Sequence, residues 1–130
     1  MSDPVLHEFM SVSKALGDTS RVRILALLEA GPLCVCQITE ILCLAPSTIS
    51  KHLFLLRQAR LIDTNKVGRW IHCRLADVGI NHPAMGARKW VSTAVTGSSR
   101  LKQDRQRLHD ILKMEPEEIC RRQLKRKNQP

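Results

Sequence analysis

The spacing of apolar residues along this chain changes period once. Leu6, Phe9, Val12 and Leu16 recur at helical spacing and predict a first helix over residues 6–16, interrupted at Gly17 and Asp18. Asp18 is a capping residue for a second helix, carried by Arg21, Val22, Arg23, Ile24, Leu25, Leu27 and Leu28 and ended by Gly31 and Pro32. A short third helix over residues 35–42 turns Ile38, Ile41 and Leu42 inward. Ala45 and Pro46 make a break, and Pro46 suits the first turn of a fourth helix over residues 46–60, with Ile49, Leu53, Leu56 and Phe54 as its apolar contacts. The period then drops to two. Leu61 and Ile62 lead into residues 63–68, read as a hairpin tip, and a strand over residues 69–75 alternates so that Ile71, Cys73 and Leu75 share one side. A two-stranded hairpin is marginal alone and must pack on the helices. Helical pattern resumes over residues 81–112, weakened by Gly86, Gly97 and the Ser98–Ser99 pair. Residues 115–130 read as a frayed or disordered extension.

This is a mainly α chain with a small β-hairpin. Two short helices with a tight break between them, the second carrying polar residues on one face, form a helix-turn-helix arrangement. Ser47, Thr48, Ser50, Lys51 and His52 put hydroxyls, a cation and an imidazole near the leading end of that second helix, and its N-terminus favours phosphate oxygens. Lys66 at the hairpin tip and Arg69 beyond it are placed to reach an adjacent groove or backbone. The competing reading is a small helical bundle with a solvated polar face.

Composition narrows the choice. The 130 residues hold 21 basic and 12 acidic side chains, net +9, with no Tyr, two Trp and two Phe. That length fits one domain and is short for a two-domain enzyme. Residues 98–130 carry 10 basic and 5 acidic side chains against 11 and 7 in residues 1–97, so over half the excess charge lies in the last quarter. Such a balance favours nucleic acid, an acidic membrane surface or an acidic protein as partner. No apolar run approaches the roughly 18 residues of a membrane helix. The first ten residues include Asp3 and Glu8 and no basic cluster, unlike a secretory signal, so the cytoplasm is the expected location. The five cysteines, Cys34, Cys36, Cys43, Cys73 and Cys120, are odd in number and uneven in spacing, a poor disulfide framework. Reduced thiols are expected.

Three stretches resemble the arsenic- and metal-responsive winged-helix repressors (ArsR/SmtB-like): Lys14-Ala15-Leu16-Gly17-Asp18-Thr19-Ser20-Arg21-Val22-Arg23-Ile24-Leu25, then Leu33-Cys34-Val35-Cys36, then Ser47-Thr48-Ile49-Ser50-Lys51-His52-Leu53 with Leu55-Leu56-Arg57. A wing, Val67-Gly68-Arg69-Trp70-Ile71-His72-Cys73-Arg74-Leu75, completes the order. The resemblance spans about residues 6–76, and its arsenical-resistance branch is the nearest in pattern. It implies a winged helix-turn-helix fold, binding of double-stranded operator DNA, Arg57 among the contacts, and repression of a resistance operon until an effector binds. It further implies a homodimer joined through terminal helices, with residues 1–112 as the DNA-binding and dimerisation domain and 113–130 as a basic, flexible tail. The first helix and residues 81–112 would form the interface, with Ala84, Ala87, Trp90, Val91, Ala94 and Val95 as an apolar side. Two-fold symmetry suits such a protein, because one recognition helix discriminates little sequence alone.

Within the resemblance, Cys34 and Cys36 are the implied effector ligands, and thiolates suit soft ions such as trivalent arsenic and antimony. Residues two apart on a helix point about 200° from one another, so both reach one ion only if the first turn distorts, and that distortion is the expected switch. The arsenic pattern adds a cysteine three residues after the second, where this chain has Thr39. Cys43 lies about 10 Å further along a helix, whereas Cys120, in the tail, can reach back as a third ligand. Cadmium, lead or zinc sensing and redox sensing on the same scaffold are the alternatives. The terminal-helix pair Asp104 and His109 is too widely spaced for a zinc site. An enzyme is not expected: the thiols are spaced Cys-x-Cys and no Gly-rich cofactor loop accompanies them.

Overall fold

A computed structural model of the chain describes residues 3–127. Its order is α1 (Pro4–Leu16), α2 (Thr19–Leu28), β1 (Leu33–Cys34), α3 (Val35–Leu42), α4 (Pro46–Gln58), β2 (Ile62–Val67), β3 (Trp70–Leu75), α5 (Pro83–Ala94), α6 (Ser99–Ile111) and α7 (Pro116–Lys127). Each early boundary has a local cause. Asp3 caps α1 by accepting from the Leu6 N–H at 3.2 Å, and Asp18 caps α2 by accepting from Ser20 N–H at 2.8 Å and Arg21 N–H at 3.3 Å. Pro46 begins α4. At its other end Arg60 adopts φ 60°, and the Leu61 N–H donates back to the Leu56 carbonyl at 3.0 Å, closing the last turn and redirecting the chain into β2.

The core is built from α2, α3, α4 and the strand that follows. Ile24, Leu27, Ile38, Ile41, Ile49, Leu56, Leu61 and Ile62 are fully buried in it. The hairpin is tighter than its sequence suggests. β2 and β3 pair from Ile62↔Leu75 to Val67↔Trp70, leaving Gly68 and Arg69 as the turn, and Gly68 takes φ +61°. The sheet gains a third strand, in the order β1-β3-β2, because Leu33 and Cys34 pair with Cys73 and His72.

Four expectations are corrected. Residues 115–130 do not fray as a tail over the described span: α7 covers Pro116–Lys127 and packs on α3, with Ile119 fully buried. The cause is an apolar residue set among many charges, enough to anchor the helix once α3 offers a surface. Residues 128–130 of the expected tail lie outside the described residues. Ile71 is 45% exposed rather than inward, since Cys73 alone takes the core side at full burial. Phe54 is 47% exposed and lies under the Arg57 guanidinium, 5.9 Å from ring centroid to Cζ, instead of joining Leu53 and Leu56 inside. The helical region from 81 to 112 is two helices, parted at Gly97, with Ser98 Oγ accepting from Leu101 N–H at 3.2 Å to start α6. Among the described residues no helix is long and apolar enough to cross a membrane.

Candidate DNA interface and thiol site

Helix α4 buries Ile49, Leu53 and Leu56 and turns Ser47, Ser50, Lys51, Phe54 and Arg57 outward. These exposed positions follow helical spacing, so they make one stripe beginning at the helix N-terminus. Thr48 is half-buried beside it. The wing adds exposed Lys66 and Arg69, with the Arg69 guanidinium 5.3 Å from the Trp70 ring centroid. Arg57 links the two elements by donating to Thr64 Oγ1 at 3.3 Å. The site therefore presents hydroxyls and fixed cations on a helix of groove-filling width, with a basic hairpin at its side.

His52 belongs to a different set. Its Nδ1 lies 3.2 Å from Arg21 Nη1 and 3.9 Å from Asp18 Oδ1, so the ring faces the start of α2. Burial works against the Asp18 charge, but the N–H groups of Arg21 and Ser20 and the neighbouring cations hold this carboxyl below its ordinary range. Arg21 also donates to the carbonyls of Ala15 at 2.8 Å and Lys14 at 3.0 Å. Together these contacts fix the angle at which α1 meets the recognition helix. Arg21 was not among the expected site residues, although it stands in the matching run after Asp18.

The structure separates the two cysteines of the Cys-x-Cys element. Cys34 is 3% exposed at the N-cap of α3, with its N–H donating to Gln37 Oε1 at 2.9 Å, and it adjoins Cys73 in the core. Cys36 faces the other way and, against the expectation of reduced thiols, forms a disulfide with Cys120 of α7, Cα to Cα 5.6 Å, across 84 residues of sequence, because α7 docks beside α3. The helical divergence of positions two apart accounts for the split. Cys43 is exposed in left-handed conformation at the end of α3, where Arg107 Nη1 donates to its sulfur at 3.2 Å. Asp104 is buried and bound by Arg23 through two bonds of 2.8 and 2.9 Å, which leaves it no role beside His109. Among the described residues no three His, Cys, Asp or Glu side chains converge as a metal site.

Polar contacts unreadable in the sequence hold Cys120 against Cys36. Gln123 Nε2 donates to the Cys36 carbonyl at 2.9 Å and to Glu40 Oε2 at 3.1 Å. Arg126 grips both oxygens of Glu40, at 2.9 and 3.1 Å. This guanidinium, with help from Gln123, holds the Glu40 carboxyl below its usual range against the opposing effect of burial. Beside this clamp opens a cleft of about 1160 Å³ lined by Cys34, Cys36 and Cys120, by Ser47 at the start of α4 and by Arg69 and Trp70 of the wing. The Cys36–Cys120 disulfide, the leading end of α4 and the wing border one space.

A short helix pair, an adjoining basic wing and a polar stripe on the second helix define a winged helix-turn-helix protein. The family described as "Bacterial regulatory protein, arsR family" matches residues 18–64. The chain is 44% identical over 64 residues to the arsenical resistance operon repressor of Escherichia coli (strain K12), covering 48% of this chain and 55% of that protein. It is 36% identical over 78 residues to the protein of the same name from Bacillus subtilis (strain 168), covering 59% of this chain and 74% of that one. Among solved structures, HlyU from Vibrio cholerae N16961 superposes with a TM-score of 0.61 at 22% identity, covering 74% of this chain and 99% of that one, a likeness of fold. The chain belongs to the ArsR family of bacterial regulatory proteins. Against the Escherichia coli relative it spans about half of that protein's length.

Proposed function

We propose that this protein is a transcriptional repressor that binds operator DNA as a homodimer and lets go when trivalent arsenic or antimony binds its cysteine thiolates. Ser47, Thr48, Ser50 and Lys51 would meet the groove, and Arg57, Lys66 and Arg69 the flanking backbone, with His52 acting through Arg21 and Asp18 to hold the recognition helix. The meeting of Cys36 and Cys120 at the first helix of the DNA-binding pair carries the effector reading. Thiol–disulfide exchange with an external dithiol, itself oxidised to its disulfide, reduces the bond and frees two soft donors against α3, a chemistry suited to a trivalent metalloid. Cys34 would supply a third sulfur by leaving the core as the first turn of α3 opens. That movement would shift α4, because Ile38 and Ile41 of α3 share a core with Ile49 and Leu56 of α4.

The test is fluorescence anisotropy of the reduced protein on a labelled duplex from upstream of its own gene, titrated with arsenite. Release near stoichiometric arsenite is expected for the unmodified protein, and Cys36→Ser and Cys120→Ser should bind DNA as before yet stay bound. Release of either variant at unchanged arsenite would remove that cysteine from the site. A second reading, redox response, is favoured by the same disulfide. It predicts that oxidised protein binds the duplex more weakly than reduced protein without any metalloid, and equal affinities would dispose of it.

A further inference from the structure

The basic segment of α7 is only partly spent on internal contacts. Helix α7 runs beside α3 in the same direction, since Cys120 meets Cys36, and Arg126, six residues further along α7, meets Glu40, four residues further along α3. Its acidic first turn, Glu117 and Glu118, therefore lies toward the start of α3. Its basic end lies toward the turn that leads into the recognition helix. Ile119, Gln123 and Arg126 form the docked stripe at helical spacing. Arg122 is bound to Glu118 at 3.0 Å and Arg126 to Glu40 at 2.9 Å. Arg121 and Lys125, one turn apart on the opposite side, are exposed and join no ion pair among the described residues. Arg121 lines the cleft it shares with Pro46 and Ser47 of α4 and with Arg69 of the wing.

We propose that α7 is a third DNA-contact element, setting Arg121 and Lys125 on the phosphate backbone next to the recognition helix and wing. Duplex DNA is the occupant because the face is cationic and its Arg121 borders the same cleft as Ser47 of α4 and Arg69 of the wing, and a phosphate track is the surface such charges complement. The contact reads no sequence. It adds affinity and salt dependence to whatever site α4 selects. This rests on the DNA-binding reading and is independent of the effector.

The experiment measures duplex affinity against salt for the full-length reduced protein, on an upstream duplex and on a scrambled duplex of equal composition. Each lost phosphate contact lowers the slope of log affinity against log salt by about 0.9. The Arg121→Ala/Lys125→Ala variant should lose about two units of slope per protomer and on the order of tenfold or more in affinity at moderate salt, equally on both duplexes. Arg121→Lys/Lys125→Arg should restore both. A control, Lys102→Ala/Arg105→Ala on exposed positions of α6, should keep the original slope. An unchanged slope in the α7 variant, tighter binding by it, or an equal fall in the α6 control would overturn the proposal. Failure of the unmodified protein to bind either duplex would instead sink the DNA-binding reading beneath it.

Discussion

Cys73 sits fully buried on the middle strand, between the two paired edges of the sheet. Burial first, and the neighbouring Cys34 second, push its thiol from 9.0 up to about 11, against a smaller pull from Arg57. Because the folded state disfavours the thiolate, this group contributes its full stability below the unfolded value and loses it as pH rises from about 9 to about 11. The loss is on the order of 2 kcal/mol. Urea midpoints at pH 8.5 and pH 11, taken for the protein and for Cys73→Ala, should show the larger fall in the unmodified chain. Equal falls would mean that Cys73 titrates alike in both states. Single residues also show what the sequence concealed at the site. Cys34 and Cys36 read as one pair because they are adjacent in the pattern, yet helical geometry gives one to the core and the other to α7.

At the scale of elements, the Arg23–Asp104 pair is the brace between α2 and α6, with Asp104 only 2% exposed. Deleting one partner of a buried pair leaves the other charge without compensation. Asp104→Ala should cost about 3 kcal/mol in urea unfolding, the lower end of the usual range because Arg23 keeps some solvent contact. The double variant Arg23→Met/Asp104→Leu should recover most of that loss, and a cost below about 1 kcal/mol for the single variant would deny the brace. Elements with a strong periodic stripe were legible from sequence: α1 to α4 were placed by their apolar spacing, with Asp18 and Pro46 marking starts, although Phe54 in α4 and Ile71 in the wing strand turn outward. Two were not. β1 is two residues long and exists only because β3 offers an edge. α7 is dominated by charge, and its pattern of Ile119, Gln123 and Arg126 becomes meaningful only once Glu40 and the Cys36 carbonyl stand opposite. The outward placing of Ser47, Ser50, Lys51 and Arg57 was legible because exposed polar positions on a half-buried helix are set by the same period as the buried ones. The orientation of His52 was not, since it depends on α2 packing across from it.

At the scale of the whole molecule, α1 and α5 hold the largest group of uncovered apolar side chains among the described residues. Val5, Leu6, Phe9 and Met10 are at least half exposed on one side of α1, and Trp90 is 68% exposed on α5. The two helices pack on each other, and the His82 ring at the N-cap of α5 lies against the Glu8 carboxylate of α1, so these side chains belong to one region of the surface. Ala84 and Val91 of α5 are buried in their own protomer, which leaves Trp90 as the outward anchor. Apolar surface of this kind suits the proposed homodimer, in which a two-fold axis through it would set two α4 helices for the two halves of a palindrome. Phe9→Glu/Trp90→Glu places like charges where the copies would meet and disturbs no buried side chain. Sedimentation should give a dimer for the unmodified protein and a monomer for the variant. The variant should keep its thermal unfolding per protomer once dimer dissociation is accounted for, and its affinity for an operator with two half-sites should drop to the level of a single half-site. A variant that still sediments as a dimer would move the interface elsewhere. A variant that is monomeric but binds the full operator unchanged would separate dimerisation from DNA recognition, and the symmetry argument would then fail.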